Sequence, residues 1–149
     1  MTLGTVDGGK TWQSSAAPTS GRITRARFAS PGKGLGLIEH AESFQYPSEV
    51  FSLSWPTGKN EVVFRDKEFF VSDVWMTPGG AYYLAGVTVA SRLRDIVPQK
   101  VKVLTSRDLK EWKPLAVDYR AAANRVILAG CGEDLWMAAN NGMILKLAP

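Results

Sequence analysis

The chain has 149 residues, of which 45% are hydrophobic and 21% charged, the size and composition of one soluble globular domain. Its net charge is +4, but the basic residues are scattered rather than gathered into a stripe, so no nucleic-acid partner is expected. No apolar segment is long enough to span a bilayer, and no signal peptide is visible. We therefore expect one domain, residues 1–149, that makes no membrane contact and is cytoplasmic unless a leader has been removed.

The opening segment, "LGTVDGGKTW", satisfies two motifs at once. Residues 4–11 match the phosphate-binding pattern G-x-x-x-x-G-K-[ST]. That loop needs a buried strand before it and a helix after it, so that amides and the helix dipole face the phosphates. Only three residues precede Gly4, the following segment contains Pro18 and poor helix formers, and Asp7 would repel a phosphate. A nucleotide site is therefore not expected.

The same segment also has the residues of a tight hairpin loop. Asp7 can accept hydrogen bonds from amides further along, as in an Asx turn, and Gly8 and Gly9 can adopt the positive φ values that such loops require. Thr11 and Trp12 then begin the returning strand, where the indole can pack over the loop. These residues predict a structural turn within a hairpin over residues 3–15.

Further along the chain, short apolar segments bounded by Gly, Pro, Asn or Asp predict strands. The segments are EVFSLSW, NEVVF, AYYLAGVTV, QKVKVLTS, NRVILAG and LWMAA. A helical turn fits only in ASRLRDIVPQK, where Pro98 would end it. Many short strands with frequent turn signals indicate an all-β fold, namely a sandwich, a barrel or a propeller.

An internal repeat of about fifty residues favours the propeller. The segments ITRARFASPGKGLGLI, VSDVWMTPGGAYYLAG and NRVILAGCGEDLWMAA, which begin at Ile23, Val71 and Asn124, share a layout of strand, turn and strand. A unit of this length is close to a four-stranded propeller blade. We predict repeat units at roughly 22–64, 71–117 and 124–149, preceded by the hairpin of residues 3–15.

A second loop repeats the pattern of the first. The segment "TSRDLKEW" lacks the glycine and one loop residue, but its tryptophan lies 100 residues after that of the first loop, which is two units. The matching positions are Ser106, Asp108 and Trp112 in the second loop and Thr5, Asp7 and Trp12 in the first.

These loops resemble the Asp-box, or BNR repeat, of sialidases, related glycosidases and propellers of the photosystem II assembly factor type. AYYLAGV and LWMAANNGMILK are similar to the second and third strands of such blades. The resemblance implies a β-propeller-like fold of about three four-stranded antiparallel blades. It also implies a structural role for the loops, because the box links the third and fourth strands of a blade away from the active site. The residues concerned are Thr5, Asp7, Gly8, Gly9, Thr11, Trp12, Ser106, Asp108 and Trp112.

Three blades are too few for a closed ring, which needs at least four. The C-terminal "GMILKLAP" resembles a third strand, so the N-terminal hairpin could complete a blade that the C terminus begins. Two chains doing this reciprocally would form a six-bladed homodimer with two-fold symmetry. The alternatives are a piece of a longer propeller that lacks its neighbouring blades, and a non-propeller β fold that carries Asp-box hairpins.

Arg25 and Arg27 are the candidate ligand-binding residues. They alternate with Ala26 and Phe28, so both point to one side of a predicted first strand, which lines the central channel in propellers. They could face an acidic ligand there. Alternatively, they are solvated or paired with an acidic residue of another blade. The acidic candidates are Asp66, Asp73 and Glu68.

Sialidases use an arginine cluster, a Tyr–Glu nucleophile pair and an acidic Asp, and this chain offers partial counterparts. Tyr46 and Glu49 lie close in sequence, and "VFRDKEFF" around Arg65 is the segment nearest to the family's FRIP motif, without matching it. Other arginines that could contribute are Arg22, Arg92 and Arg94. Tryptophans in or beside strands are expected to pack between blades or, alternatively, to stack on a sugar; they are Trp55, Trp75, Trp112 and Trp136.

Two residue types occur once each and limit the chemistry. Cys131 excludes an internal disulfide, and its apolar surroundings, "VILAGCG", predict a buried thiol. His40 excludes a histidine-rich metal site and is expected in a loop or at the end of a strand. We therefore expect no catalytic residue, cofactor or metal.

The expected function is a non-catalytic binding or scaffold module that recognises a protein or glycan through the channel mouth or a blade edge. The alternative is an incomplete or divergent glycoside hydrolase of the sialidase type. A pocket in which Arg, Tyr and Glu converge would favour the enzyme, whereas a shallow face with unpaired arginines or aromatics would favour binding.

Overall fold

The secondary structure of the described residues consists of β-strands without a helix, so the all-β prediction is confirmed. The computed structural model describes residues 2–16, 18, 20–30, 32–41, 45–55, 58–89, 97–118 and 120–148. The strands are β1 (Thr2–Gly4), β2 (Gln13–Ser15), β3 (Arg22–Ser30), β4 (Lys33–Glu39), β5 (Ser48–Ser54), β6 (Val62–Arg65), β7 (Phe69–Met76), β8 (Tyr82–Thr88), β9 (Gln99–Ser106), β10 (Lys113–Leu115), β11 (Ala122–Ala123), β12 (Val126–Cys131), β13 (Asp134–Ala139) and β14 (Ile144–Leu147). The helical turn expected in ASRLRDIVPQK falls largely outside the described residues.

The strands form four antiparallel sheets, none of which closes on itself. The N-terminal hairpin pairs β1 with β2. The first sheet has the order β3-β4-β5-β6 and the second the order β7-β8-β9-β10, with β11 also paired to β9. The third sheet has the order β12-β13-β14. Apart from β11, the strands of each sheet pair with their neighbours in sequence, which is the arrangement of a meander.

Two apolar cores hold the three larger sheets in a stack. One core joins the first and second sheets, and its buried members are Leu35, Leu37, Val50, Phe69, Val71, Val74, Tyr82, Leu84 and Leu104. The other joins the second and third sheets and includes Phe70, Tyr83, Val87, Val103, Leu128, Leu135 and Met137. The second sheet is covered on both faces, which explains why β8 is apolar without alternation.

The N-terminal hairpin lies against the first sheet, on the side away from the second. The indole of Trp55 fills the space beside Gly4, where a β-carbon would come within 2.5 Å of the ring. The Asn60 amide donates to the Ser15 hydroxyl at 2.8 Å and to the Ala16 carbonyl at 3.1 Å. Because Gly4 has no side chain, the hairpin and the ring can approach closely.

Register shifts interrupt β3 between Ile23 and Arg25 and β7 between Val71 and Asp73. In β7 the shift directs Ser72 to the third sheet, where its hydroxyl donates to the Val126 carbonyl at 2.7 Å and the Val126 amide donates back at 3.1 Å. Bulges of this kind redirect side chains at the edge of a sheet. Here the bulge attaches β7 to β12.

The prediction of a buried thiol at Cys131 is wrong, because this side chain is exposed. The predicted turn at residues 130–132 lies slightly later, since β12 extends to Cys131 and the turn is formed by Gly132 and Glu133. Cys131 pairs with Asp134 as the last pair before that turn. Along β12, Val126 and Leu128 are buried against the second sheet, whereas Ile127, Ala129 and Cys131 alternate with them and point to the exposed opposite face.

Candidate functional site

The first strands of the three larger sheets lie in the order β3, β7, β12, and β7 contacts both of the others. We call the surface that they form the inner edge. Its charged centre is Asp73 of β7, whose side chain is fully buried between Arg25 and Arg27 of β3. Arg25 and Arg27 point to the same side of β3, as their alternation with Ala26 and Phe28 predicted, because both guanidinium groups face the Asp73 carboxylate.

Backbone amides bind the Asp73 carboxylate at short distances. The Leu128 amide donates to Oδ2 at 2.8 Å, and the Val74 amide donates to Oδ1 at 2.9 Å. A buried carboxylate must be paired or hydrogen-bonded to remain charged. Asp73 therefore links the backbones of β7 and β12, and of the acidic candidates named from sequence it is the one that meets Arg25 and Arg27.

The two arginines are bound less tightly than the carboxylate that they share. Arg25 Nε lies 3.6 Å from Asp73 Oδ1, and Arg27 Nη2 lies 3.5 Å from Oδ2, both longer than a good charged hydrogen bond. Arg25 also donates to the Thr24 carbonyl at 3.0 Å. The Arg27 guanidinium lies 5.0 Å from the ring centre of Trp75, and its Nε has no hydrogen-bond partner.

Two cations that share one anion leave the cluster with a net charge of +1. The side chains of Arg25 and Arg27 are 38% and 37% exposed, so a group in solution can reach them. Asp73 fixes their position without saturating their donors. The inner edge can therefore bind an anionic group by charge-assisted hydrogen bonds.

The loop between β1 and β2 is organised around Asp7. The Thr11 amide and hydroxyl donate to its two carboxylate oxygens at 2.9 and 2.6 Å, and the Thr5 hydroxyl donates at 2.7 Å. These bonds, those of Thr11 first, hold the pKa of Asp7 well below its usual range. Gly8 and Gly9 have positive φ values, 73° and 93°.

The indole of Trp12 completes this first loop by donating to the Gly9 carbonyl at 3.1 Å. The Gly9 amide in turn donates to the Thr5 hydroxyl at 2.9 Å. The loop thus joins two strands of a hairpin, and its polar groups hydrogen-bond to one another. No helix follows it among the described residues, so the geometry of a phosphate-binding loop is absent there.

The loop between β9 and β10 is a shorter version built around Asp108. The amides of Lys110 and Glu111 each donate to its Oδ1 at 2.9 Å, and these bonds lower the pKa of Asp108, that from Glu111 most. The Ser106 hydroxyl accepts from the Leu109 amide at 3.0 Å. Leu109 has a φ of 63°, so a leucine adopts the left-handed conformation that glycine takes in the first loop.

Tyr46, Arg65, Glu49 and His40 converge at one end of the first sheet. Arg65 lies 5.0 Å from the ring centre of Tyr46, and its Nη1 is 3.6 Å from Glu49 Oε1. The other oxygen of Glu49 lies 2.9 Å from His40 Nε2, and both of these side chains are buried. Sequence reasoning named the first three residues separately but gave no signal for the His40–Glu49 pair, which depends on the register of β4 and β5.

The tryptophans occupy different environments. Trp112 packs edge-on against Phe64, with ring centres 5.7 Å apart, and donates to the Val63 carbonyl at 3.2 Å. Trp75 supports Arg27 at the inner edge, and Trp55 packs on the N-terminal hairpin. Trp136 is the most exposed of the four strand-associated tryptophans named from sequence, and it lies on the third sheet.

The remaining arginine candidates do not add to the cluster at the inner edge. Arg22 is exposed at the start of β3. Arg92 and Arg94 lie outside the described residues. The acidic candidates Asp66 and Glu68 lie together in the turn between β6 and β7, where the Glu68 amide donates to Asp66 at 2.8 Å.

Within the described ranges, no group of three or more His, Cys, Asp or Glu side chains could hold a metal ion. No helix in the same part of the chain is long and apolar enough to cross a membrane. Comparison with protein-family models and with curated proteins finds no match to this chain. The assignment of a function therefore depends on the geometry of the inner edge and of the cluster around Glu49.

Proposed function

We propose that the protein is a non-catalytic binding module of the Asp-box propeller type and that the inner edge recognises an acidic group of a protein or glycan ligand. The observation that carries this proposal is the pair Arg25 and Arg27, which share one carboxylate and remain partly exposed. Each guanidinium group carries five N–H donors, and the contacts with Asp73 and with the Thr24 carbonyl engage only some of them. Donors that stay accessible beside a fixed positive charge favour an anionic ligand.

The two Asx loops support the assignment to this type of propeller. In each loop an aspartate accepts hydrogen bonds from backbone amides of the loop, and the hydroxyl of a Thr or Ser two positions earlier donates to the same carboxylate. A tryptophan follows each loop. Three stacked antiparallel sheets whose first strands adjoin are also consistent with consecutive blades. The arginines would then face the axis around which the blades are arranged.

Binding of acidic probes tests the function. A glutamate-rich peptide and a sialylated oligosaccharide, each beside its neutral counterpart, are titrated by calorimetry into the wild-type protein, Arg25→Gln and Arg27→Gln. A charged hydrogen bond contributes about 1.5–3 kcal/mol, so each substitution is expected to weaken binding by about 10-fold to 100-fold. Arg22→Gln, on the same strand but away from Asp73, is the matched control.

Two results would count against the binding module. One is that neither acidic probe binds better than its neutral counterpart. The other is that Arg22→Gln weakens binding as much as Arg25→Gln, because binding would then depend on overall charge rather than on the inner edge.

The alternative function is glycoside hydrolysis of the sialidase type, and the convergence of Tyr46, Arg65 and Glu49 is the observation that favours it. Against it, Glu49 is buried and both of its oxygens already face His40 and Arg65, so the carboxylate is arranged as a structural ion pair. A fluorogenic aryl sialoside distinguishes the two functions. Turnover by the wild-type protein that Glu49→Gln abolishes, while the variant stays folded, would establish the enzyme.

A further inference from the structure

The face of the third sheet that points away from the second sheet carries large apolar side chains that are exposed. Along β13, the buried Leu135 and Met137 alternate with Trp136 and Ala138, which lie on the opposite face. Trp136 is 44% exposed, and its neighbour across the strands, Lys146, lies 5.6 Å from the centre of its ring and pairs with Asp134. Ile127 and Ile144 lie on the same face and are 46% and 67% exposed. A sheet face directed at water normally carries polar side chains, and here one ion pair lies beside three large exposed apolar residues.

The same positions are buried in the two preceding sheets. Trp136 lies 53 residues after Tyr83, which in turn lies 48 residues after Leu35, and all three stand in the second strand of their sheet. Leu35 belongs to the core between the first and second sheets, and Tyr83 to the core between the second and third. The outer face of the third sheet therefore corresponds to the face by which the first sheet packs on the second and the second packs on the third.

A matching surface lies at the other end of the stack. A groove of about 450 Å³ separates the N-terminal hairpin from the outer side of the first sheet. Apolar side chains form most of its wall, among them Leu3, Ala26, Phe28, Leu53 and Trp55. Phe28 is 55% exposed. The chain thus carries one sheet face with large exposed apolar residues and one apolar groove, at opposite ends.

Glycines lie beneath the aromatic wall of this groove. The positions by which the third sheet contacts the second are Leu135 and Met137, and the repeat offsets place Gly34 and Gly36 at the same positions of the first sheet. The rings of Phe28 and Phe51 fill the space over these glycines. Phe51 is 1% exposed, whereas Phe28 is 55% exposed, so Phe28 is the ring that an incoming indole can reach.

We propose that the third sheet of one chain docks into this groove of a second copy, so that Trp136 packs on Phe28. A second copy is the favoured occupant because both halves of the contact are present in one chain and continue its own order of sheets. The reciprocal contact between the same two chains gives a closed pair of six sheets with two-fold symmetry. This contact is independent of ligand binding at the inner edge.

Light scattering on a sizing column, over a series of protein concentrations, tests the contact. The wild-type protein is expected to have the mass of two chains, and Trp136→Asp and Phe28→Asp that of one. Truncation of a central aromatic residue typically costs 2 kcal/mol or more, so the dissociation constant should rise at least about 30-fold. Val97→Asp, at an apolar residue that is 45% exposed and lies on neither surface, is the matched control.

Mixing the two variants shows whether the contact runs from the third sheet to the first. A pair made of one Trp136→Asp chain and one Phe28→Asp chain retains one intact contact, between the third sheet of the latter and the groove of the former. The mixture is therefore expected to contain mixed pairs, although neither variant associates alone. If instead the third sheets packed on each other, mixing would restore nothing and Phe28→Asp alone would remain paired.

Three results overturn the proposal. They are a wild-type mass of one chain at every concentration, association that Trp136→Asp leaves unchanged, and dissociation by Trp136→Asp without any effect of Phe28→Asp. Circular dichroism and urea midpoints confirm that each variant is folded. Should an aspartate variant unfold, Trp136→Gln and Phe28→Gln replace the pair, and the binding assay with acidic probes reports separately on the inner edge.

Discussion

Substitution of Asp73 by asparagine should be among the most destabilising conservative changes in this protein. The carboxylate is fully buried and accepts one amide on each oxygen, from Leu128 at 2.8 Å and from Val74 at 2.9 Å. Asparagine has the same shape but only one acceptor oxygen. Its NH2 group would therefore face one of these amide donors, and one buried N–H would lose its partner.

The magnitude follows from two contributions. A buried backbone donor left without a partner costs about 1–3 kcal/mol. The ion pairs with Arg25 and Arg27 add less, about 0–1 kcal/mol each, because those side chains are more than a third exposed and solvent screens them. The sum is about 1–5 kcal/mol. For a chain of this length that corresponds to a fall in Tm of roughly 3–15 °C.

Urea unfolding followed by tryptophan fluorescence measures the effect. Asp134→Asn is the control, since this aspartate is exposed and paired only with Lys146 on the surface, and its cost should stay below about 1 kcal/mol. The reasoning would be refuted if Asp73→Asn cost less than 1 kcal/mol. It would also be refuted if Arg27→Gln cost as much as Asp73→Asn, because the ion pairs rather than the backbone bonds would then dominate.

Three further expectations concern other parts of the chain. The pKa of Asp7 is lowered in the folded loop, so the stability that this carboxylate contributes is present above its unfolded pKa of about 4 and is lost as pH falls below that value. Hydrogen exchange of the Thr11 amide, corrected for intrinsic rates, should therefore accelerate from pH 5 to pH 2. Unchanged protection of this amide would contradict the reasoning. His40→Ala should cost about 1–3 kcal/mol, because one oxygen of the buried Glu49 carboxylate loses its hydrogen-bond partner, whereas an unaltered urea midpoint would show that the pair is dispensable. Cys131 is exposed in the single chain, so a thiol reagent should label it in folded Trp136→Asp within a few-fold of the rate in urea, and labelling only after denaturation would be incompatible with its position.

The fold class could be predicted because it depends on local patterns. Segments such as AYYLAGVTV and QKVKVLTS are too short and too rich in β-branched and aromatic residues for helices, and each contains a strand. The loop around Asp7 could be predicted for the same reason, since its bonds join residues at most four positions apart.

The candidate site could be predicted only in part, because its contacts are distant in sequence. The alternation of Arg25 and Arg27 indicated a common side of the strand, but it left Asp73 as one of three acidic partners. Its selection depends on how β3 packs on β7. The burial of Glu49 beside His40 likewise depends on strand register, which no local pattern reports. Cys131 was misjudged because an apolar stretch was taken as wholly buried, whereas only alternate residues of β12, Val126 and Leu128, are buried against the second sheet and Cys131 lies on the opposite face.

The bulge in β7 changes which residues, odd-numbered or even-numbered, face the first sheet. Before it, the odd-numbered Phe69 and Val71 face the first sheet; after it, the even-numbered Val74 does so. Deleting Ser72 would restore strict alternation, and the core residues on both sides of the deletion would keep their present faces. What the deletion would remove is the pair of hydrogen bonds between the Ser72 hydroxyl and the Val126 backbone. The extra residue therefore serves the attachment to β12 rather than the sidedness of the strand, whereas one residue inserted or removed elsewhere in β7 would exchange the faces of every residue on one side of it.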